Sequence, residues 1–442
     1  MTRRLVIAAG LGLVLVLGAL LMGETTSGQG QYEVWALDQS DSPGRSYGGA
    51  LYIWGGHELE RRHGTGSHGT ERIDLGDHAA ALCLAKTGAY PVRPHMVTIS
   101  PSQSHALIAF VVSGHVLVVD ARTREMIDCL RTSVGAGGAR QAHMAWPSPD
   151  GTYITVANQN GKRLERIRAD YATNTFAFEP DAMLDLVTCT TPSGVPCQAP
   201  GIRPDNAPVC PITESGSQFT FVTLRGGGLF VVDTRATPMR IVNEYDMTWI
   251  NGNGCGGAEA SGKMYVDSGG GTTANLYQAD LYTFQLDLLS STPAPPNTPR
   301  PGVVFSESGH EHEGADAHGT AVARHGRYLW VADRGRNFFW VVDTGTDKVV
   351  NRINLVSELS EDPTPDLMHL SPNGSHAVVA LRGPVPLSGD PHVSTGSTPG
   401  VGVLKVTQAG RSARLESIAR VTNIGTDGRE LADVHGIAVR LK

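Results

Sequence analysis

Metal-binding residue types recur at one position of a repeated pattern in this 442-residue chain. With the repeats aligned on the turn after the first predicted strand, that position holds four histidines and one aspartate: His95, His143, His318, His435 and Asp366. Neutral imidazole is the commonest ligand suited to copper, zinc and iron, and carboxylates accompany it. Any one of these histidines could simply hydrogen-bond a neighbouring strand. Their recurrence in register leads us to predict a metal site where the repeats converge.

A second group of candidate ligands lies in the loop before His318. This loop reads GHEHEGADAH and contains His310 and His312, which alternate across an extended chain. Both can reach one ion only if the backbone bends, and Gly309 and Gly314 permit such a bend. We predict that His310 and His312 bind the ion or support the residues that do, with a solvated acidic loop as the alternative.

The elements that must position these ligands are short strands separated by turns. Between Thr320 and Asp343 the chain alternates through three strand-like runs, and residues 348–355 supply a fourth. Similar four-strand units recur at a spacing of about 40 to 50 residues, which is the signature of β-propeller blades. The composition agrees, since 53 glycines, 26 prolines and 18% charged residues are typical of a turn-rich all-β chain. We predict a seven-bladed β-propeller, with six blades as the alternative because the fifth repeat is weak.

The two ends of the chain are predicted to complete one blade. Strands are predicted near the N-terminus at residues 32–38, 50–54 and 71–75, so one strand of a four-stranded blade is missing there. The C-terminal run VHGIAVRL, residues 434–441, resembles the opening strand of the other blades and has no blade of its own. Pairing it with the N-terminal strands closes the ring without a free edge.

Residues 1–30 differ in composition from the rest of the chain. Arg3 and Arg4 precede an apolar run from Leu5 to Met22. This pattern predicts a signal peptide, or a membrane anchor with a linker if the segment is not cleaved. We therefore expect a secreted, periplasmic or extracytoplasmic membrane-anchored protein whose residues 31–442 form a single propeller domain. Contact with a membrane is expected only through the N-terminal segment.

The six cysteines form an even set in a chain predicted to reach an oxidising compartment, so disulfides are favoured over free thiols. Only residues in the same or adjacent blades approach closely enough to pair. We expect pairing in sequence order: Cys83 with Cys129, Cys189 with Cys197, and Cys210 with Cys255. The alternative is that Cys210 and Cys255 are thiolate ligands that complete the set of histidines.

Charge and motif content argue against several classes of function. The formal net charge of −7 is spread without long runs of one sign, so nothing indicates nucleic-acid binding. The pattern Gly-x-Ser-x-Gly occurs at residues 44–48, but it lies between two predicted strands and not at the strand-to-helix turn of a nucleophile elbow. The sequence has no His-Glu-x-x-His helix and no phosphate-binding glycine loop. Nucleophilic hydrolysis and nucleotide chemistry therefore have no support in the sequence.

Three segments resemble the YVTN-type family of seven-bladed propellers. They are SPDG at residues 148–151, VVDTGTDKVVNRI at 341–353 and HLSPNGSHAVVA at 369–380. The resemblance covers most of the chain after residue 30. It implies the fold, because these motifs record blade geometry and carry little functional information.

A weaker resemblance concerns the candidate ligands. The sequence RPH at residues 93–95, with a histidine at the start of several blades, resembles the selenium-binding protein and methanethiol oxidase family. It is more distantly similar to the histidine-ringed copper propeller of nitrous-oxide reductase. This resemblance implies a metal-dependent oxidoreductase. Blades 4 and 5 depart from the pattern, because they carry cysteines near the places where histidines are expected.

Together these features predict an exported propeller whose channel mouth binds a metal ion and a small molecule. As an enzyme it would be a metal-dependent oxidoreductase, with copper, zinc or iron acting as Lewis acid or redox centre. The alternative from another class is a non-catalytic scaffold that holds a partner protein with its blade loops. A third possibility, a lactonase-like hydrolase, would require a carboxylate-rich channel, whereas histidines outnumber carboxylates at the recurring position.

Overall fold

Seven sheets of short antiparallel strands build the fold in the computed structural model. The structure describes residues 31–66, 70–270, 277–323, 325–389 and 391–442. The predicted signal peptide or anchor, residues 1–30, lies outside the described residues. Among the helices within the described ranges, none is long and apolar enough to cross a membrane.

The seven sheets are the blades of a propeller, and the strands of each blade follow one another from the channel outward. Blade 1 contains Val434–Leu441, Tyr32–Asp38, Ala50–Gly55 and Thr70–Asp74; blade 2 contains Pro94–Ile99, His105–Phe110, His115–Asp120 and Met126–Arg131. Blade 3 contains Ala142–Pro147, Tyr153–Asn158, Arg163–Asp170 and Thr175–Phe178, with Leu184–Asp185 also paired to its third strand. Blade 4 contains Pro208–Thr213, Phe219–Leu224, Leu229–Asp233 and Arg240–Tyr245.

The remaining blades follow the same order. Blade 5 contains Gly257–Ala260, Lys263–Ser268, Gln278–Gln285 and Gly302–Ser308; blade 6 contains Ala317–Ala323, Tyr328–Asp333, Phe338–Asp343 and Lys348–Asn354. Blade 7 contains Pro365–Leu370, His376–Leu381, Gly400–Thr407 and Ser412–Arg420, and Gly64–Gly66 pairs in parallel with its outer strand. The predicted seven-bladed fold is confirmed, and the weak fifth repeat does form a blade.

Helices are few and short in the described ranges. The α-helices are Gly56–Glu60 and His78–Thr87; the 3-10 helices are Ala136–Gly138, Pro180–Ala182, Leu286–Leu288, His310–His312 and Gln408–Gly410. The long runs of apolar strand residues leave helices only in the connections between strands.

The C-terminal strand is the innermost strand of blade 1. Val434–Leu441 pairs antiparallel with Tyr32–Asp38, and it also contacts the innermost strands of blades 7 and 2. The ring therefore closes through two strands from opposite ends of the chain, and the inner edge of Tyr32–Asp38 is paired. This confirms the predicted ring closure.

Packing between blades buries both faces of the middle strands. All residues of Phe219–Leu224 and of His376–Leu381 are buried. The apolar clusters combine neighbouring blades; one of them joins Val401 of blade 7 with Val34 of blade 1. Burying each large apolar side chain is worth about 1.5 to 3 kcal/mol, so these contacts between blades stabilise the fold.

Three disulfides join the cysteines in the predicted order. The pairs are Cys83–Cys129, Cys189–Cys197 and Cys210–Cys255, with Cα separations of 5.1, 5.5 and 5.1 Å. These separations lie within the range that a disulfide needs. The sequential pairing is confirmed, and the three bonds indicate an oxidising, extracytoplasmic environment.

We expect deletion of residues 434–442 to abolish cooperative unfolding. The deletion removes the innermost strand of blade 1 and leaves the hydrogen-bonding edge of Tyr32–Asp38 unpaired. Urea denaturation followed by circular dichroism, together with light scattering, should show a broad transition or aggregation. The matched control deletes Lys442 alone, which lies beyond the strand, and should unfold like the parent. A nine-residue deletion as stable as the parent would contradict the observed ring closure.

Candidate metal centre

In six of the seven blades, a β-bulge lies near the start of the innermost strand. At each bulge the pairing between the innermost strand and the next strand shifts register. Bulges bend a strand and re-aim the side chains that they carry. The residues at the shifts include His435, His95, His143, Cys210, His318 and Asp366 of blades 1, 2, 3, 4, 6 and 7. In blade 5, Cys255 precedes the first strand. We call these seven side chains the ring residues, and all of them are metal-ligand types.

Two glycines allow the ring residues to approach one another. Gly319 and Gly436 each follow a ring histidine. A Cβ atom on these glycines would lie 2.4 Å from the carbonyl oxygen of Asp366 and 2.5 Å from that of His95, respectively. The backbones of adjacent innermost strands therefore meet at a distance that only glycine tolerates. This close approach brings the side chains of blades 6, 7, 1 and 2 within reach of each other.

His318, Asp366 and His435 form one potential ligand group. The Nε2 atom of His318 lies 3.3 Å from Asp366 Oδ1, and the Nε2 atom of His435 lies 3.7 Å from the same oxygen. Ligand atoms held tetrahedrally at about 2.0 to 2.1 Å from a zinc ion are separated from each other by about 3.3 to 3.4 Å. The observed separations therefore fit a metal ion with little movement of the side chains.

Several polar atoms at this group are buried without a hydrogen-bond partner among the described residues. They are both ring nitrogens of His318, Asp366 Oδ1 and His95 Nε2. A buried polar atom left unsatisfied costs on the order of 1 to 3 kcal/mol, and such atoms are rare in proteins. A cation beside Asp366 Oδ1 and one nitrogen of His318 would give both atoms a partner, so the residues present fit a metal ion.

Hydrogen bonds fix the protonation pattern of two ring histidines. Gln39 Nε2 donates to Asp433 Oδ2 at 3.1 Å, which leaves Gln39 Oε1 to accept from His95 Nδ1 at 2.7 Å. The Nδ1 atom of His435 lies 3.2 Å from the carbonyl oxygen of His95 and donates to it. In both imidazoles Nδ1 carries the proton and Nε2 keeps its lone pair, which is the tautomer that binds a metal through Nε2.

Two buried arginines hold the Asp366 carboxylate from its other side. Arg382 Nη1 lies 2.8 Å and Arg334 Nη1 3.4 Å from Asp366 Oδ2. Arg334 also pairs with Asp316 at 2.6 Å, and Arg382 donates to both oxygens of Asp433, at 2.6 and 2.7 Å. The arginines therefore occupy Oδ2, while Oδ1 faces the histidines.

These arginines and their partner aspartates were missed by the sequence analysis, although two short repeats mark them. Arg334 and Arg382 each directly follow the second strand of a blade and precede a glycine, as Arg225 does in blade 4. The motif Ala-Asp-x-His-Gly occurs at residues 315–319 and again at 432–436. Extending the blade alignment to the neighbours of the ring histidines would have found both repeats.

Burial and neighbouring charges set the protonation states at the ring. Burial alone would raise the pKa of Asp366, but the two histidines and the two arginines around it lower that pKa below its usual range. Burial is the main cause that lowers the pKa of His143 to about 3 and that of His435 to about 4. Burial also lowers the pKa values of His95 and His318 well below the usual value. At neutral pH the site therefore holds a carboxylate and neutral imidazoles, the forms that bind metals.

The other two ring histidines lie beside this ligand group. The imidazole of His95 stacks on that of His435 with 3.9 Å between ring centres, and it meets His143 edge-on at 4.6 Å. The Nδ1 atom of His143 lies 3.7 Å from Cys210 Sγ. His143, Cys210 and Cys255 form a second potential ligand group. The ring histidines thus converge: His318 and His435 belong to the first group, His143 belongs to the second, and His95 contacts both.

The structure does not bring the two loop histidines to the ring. His310–His312 is a single 3-10 turn in which His310 is exposed, and His312 Nδ1 lies 3.8 Å from Glu307 Oε2. Gly309 and Gly314 adopt φ angles of 102° and 80°, so the backbone does bend at both glycines. Neither imidazole lines the cavity at the ring in the described part of the chain.

Two cavities of the central channel meet the ring residues. The cavity at the mouth has a volume of about 340 Å³ and is lined by the four histidines together with Arg93, Arg225 and Arg334. A second cavity of about 320 Å³ is lined mostly by apolar side chains such as Trp146, and by His369. Both volumes lie at the lower end of those found for small-molecule sites. A small molecule in the mouth cavity would contact the ring histidines directly.

Comparison with known proteins identifies the fold. No protein-family model and no curated protein matches this sequence. A candidate 6-phosphogluconolactonase from Bacteroides fragilis superposes with a TM-score of 0.52 at 11% identity, over 94% of this chain and 99% of the other. A protein from Lactobacillus plantarum superposes with a TM-score of 0.57 at 10% identity, over 92% of this chain and 99% of the other. At such identities the likeness shows the β-propeller fold alone.

We expect the metal-free protein to lose stability as the pH falls from 6.5 towards 4. The pKa of His435 is about 4 in the folded protein against the ordinary value of 6.5. The unfolded chain therefore binds a proton first, so this contribution to stability is complete above pH 6.5 and is lost as acid is added. Linkage puts the loss from this one imidazole at about 2 kcal/mol by pH 5.

Urea unfolding at several pH values, in the presence of a chelator, measures this loss. A His435→Asn variant should show a smaller decline between pH 6.5 and 5, because it has one imidazole fewer to protonate on unfolding. Equal declines in the parent and the variant would show that His435 does not titrate as its burial indicates.

Proposed function

We propose that this protein is a metal-dependent enzyme that holds one transition-metal ion with His318, Asp366 and His435 at the mouth of its channel. The observation that carries the proposal is the group of buried ligand atoms, with Asp366 Oδ1 at 3.3 and 3.7 Å from two imidazole nitrogens. Both nitrogens of His318 and Oδ1 of Asp366 have no hydrogen-bond partner among the described residues. A bound cation removes the free-energy cost of burying Oδ1 and the His318 nitrogen that binds it.

The donor set favours zinc or iron as the ion. Two imidazoles with one carboxylate are the ligands of catalytic zinc sites and of non-haem iron(II) sites, and both leave positions open for substrate. Copper, which the sequence also suggests, shares the preference for imidazole. The bound ion would act as Lewis acid or redox centre for a molecule in the mouth cavity.

Residues around the ligand group have separate roles in this proposal. Arg334 and Arg382 hold Asp366 Oδ2 and so direct Oδ1 towards the histidines, as outer contacts of metal ligands commonly do. The Gln39 amide keeps the proton of His95 on Nδ1. The buried Nε2 of His95 then keeps its lone pair free to accept a hydrogen bond from a substrate.

The substrate that we propose is a small polar molecule. Amide and hydroxyl side chains line the mouth cavity of about 340 Å³, among them Gln141, Gln159, Asn253 and Ser388. The resemblance of the RPH segment to the methanethiol oxidase family supports oxidation over hydrolysis. The candidate lactonase from Bacteroides fragilis shares the fold at 11% identity, which does not select lactone hydrolysis.

Family and location complete the proposal. The blade motifs support a relationship to YVTN-type propellers. The apolar run near the N-terminus supports export through a signal peptide, and the three disulfides fit the oxidising compartment to which export leads.

We expect the purified protein, reconstituted with zinc or iron(II), to retain one equivalent of metal after a chelator has removed the metal bound weakly at the surface. The variants Asp366→Asn and His435→Ala should lower the affinity by at least about 100-fold, since loss of an outer contact alone costs 10- to 100-fold. Elemental analysis after dialysis and competition with a coloured chelator measure stoichiometry and affinity. Oxygen consumption with candidate small molecules then separates an oxidase from a hydrolase.

Two histidine variants are matched controls for this measurement. His369→Ala alters a channel imidazole in the second cavity, and its affinity should equal that of the parent. His310→Ala tests whether the loop contributes a ligand, since an affinity lowered as far as in His435→Ala would bring the loop into the site. Absence of bound metal in the folded parent, or an unchanged affinity in Asp366→Asn, would refute the proposed centre.

A further inference from the structure

Blades 3, 4 and 5 place a second set of ligand types at the ring. Candidate ligand atoms of His143, Cys210 and Cys255 all lie within 4.8 Å of one another. The two cysteines form a disulfide in this structure. Because blades 6, 7 and 1 supply the first ligand group, the ring residues divide into two arcs. His95 of blade 2 touches both arcs through its ring contacts.

We propose that reduction of the Cys210–Cys255 disulfide opens a second metal site, in which two thiolates and the His143 imidazole bind a zinc or copper(I) ion. This inference does not depend on the first metal site or on its proposed activity. It accounts for the presence of cysteines in the two blades that depart from the histidine pattern.

Distances in the oxidised protein already approach those of such a site. His143 Nδ1 and Cys210 Sγ are 3.7 Å apart. Tetrahedral zinc with Zn–N distances of about 2.0 to 2.1 Å and Zn–S distances of about 2.3 Å separates these atoms by about 3.6 Å. The two sulfurs must move apart to about 3.8 Å in the same geometry. Cys255 borders the cavity of about 320 Å³, which gives its sulfur room to move.

The reaction balances with a thiol reductant. A dithiol transfers two electrons and two protons to the Cys210–Cys255 bond, so that bond breaks, two thiols form and the dithiol becomes a disulfide. A zinc ion then displaces the two thiol protons, which pass to solvent.

A purely structural role for the Cys210–Cys255 disulfide would explain the bond itself. It would not explain why the His143 imidazole lies next to Cys210 Sγ. Cys83–Cys129 ties the helix His78–Thr87 to the outer strand of blade 2, and Cys189–Cys197 closes a loop. Within the described ranges, neither of those pairs belongs to a group of three potential metal ligands. They therefore provide internal controls.

Cobalt(II) titration tests the inference, because thiolate bound to cobalt gives an intense near-ultraviolet charge-transfer band. The full-length oxidised protein should show no such band. Protein reduced with a dithiol and freed of it anaerobically should bind one additional equivalent of cobalt and show the band. Cys210→Ser should reduce the band to at most that of a single thiolate, Cys189→Ser should keep it at full intensity, and His143→Ala should weaken cobalt binding by about tenfold or more. Folded, reduced parent protein without the additional equivalent, or a band of full intensity in Cys210→Ser, would overturn the proposal.

A second variant decides the outcome if reduction of all three disulfides unfolds the chain. Cys210→His removes the disulfide without any reductant and leaves the Cys255 thiol between two imidazoles. It should bind cobalt with a single-thiolate band, with folding checked by near-ultraviolet circular dichroism. A folded variant without the band overturns the proposal, and so does an unfolded one, since blades 4 and 5 would then require the covalent link. The Asp366→Asn variant should retain the thiolate band, because Asp366 belongs only to the first ligand group. The two proposed metal sites are therefore tested independently.

Discussion

The arrangement of the channel mouth depends on one buried carboxylate. Asp366 receives two arginines on one oxygen and faces two imidazoles with the other, and it is fully buried. Arg334 comes from blade 6 and Arg382 from blade 7, and the imidazoles come from blades 6 and 1. Removing one partner of a buried ion pair typically costs about 3 to 5 kcal/mol, whereas replacing the whole pair by apolar groups is often neutral. The network is therefore better explained by the geometry that it imposes than by the stability that it adds.

Stability and chemistry occupy different layers of each blade. The middle strands are apolar on both faces and pack against neighbouring blades, as Phe219–Leu224 and His376–Leu381 do. The innermost strands begin with bulges, and their ring residues converge where Gly319 and Gly436 let the backbones touch. Unsatisfied atoms at about 1 to 3 kcal/mol each are tolerable because many buried side chains contribute about 1.5 to 3 kcal/mol each. Such a scaffold can hold a strained polar centre in place.

A chain that matches no family model and no curated protein can still adopt a clear fold. A propeller requires alternating apolar strands, turns and closure, and many different sequences meet those requirements. The structural likeness at 10% and 11% identity follows from this tolerance. In this chain every blade presents a histidine, aspartate or cysteine at the ring.

The sequence alone predicted the blades, the closing strand and the recurring position of the candidate ligands, and it favoured the disulfide pairs that the structure shows. These features depend on local periodicity and on spacing between repeats, which a linear pattern records. It did not determine which candidates share a ligand group. His318, Asp366 and His435 come from three blades, and their separations of a few ångströms depend on bulges and on glycine contacts between strands.

For the arginines and for the loop histidines, position along the chain did not predict distance from the ring residues. Arg334 and Arg382 follow second strands, so only the assembled blades bring their guanidinium groups to Asp366. His310 and His312 lie close to His318 along the chain, yet a 3-10 turn holds them apart from the ring residues. Ligand geometry is a property of side-chain directions across neighbouring blades, and only the tertiary structure fixes those directions.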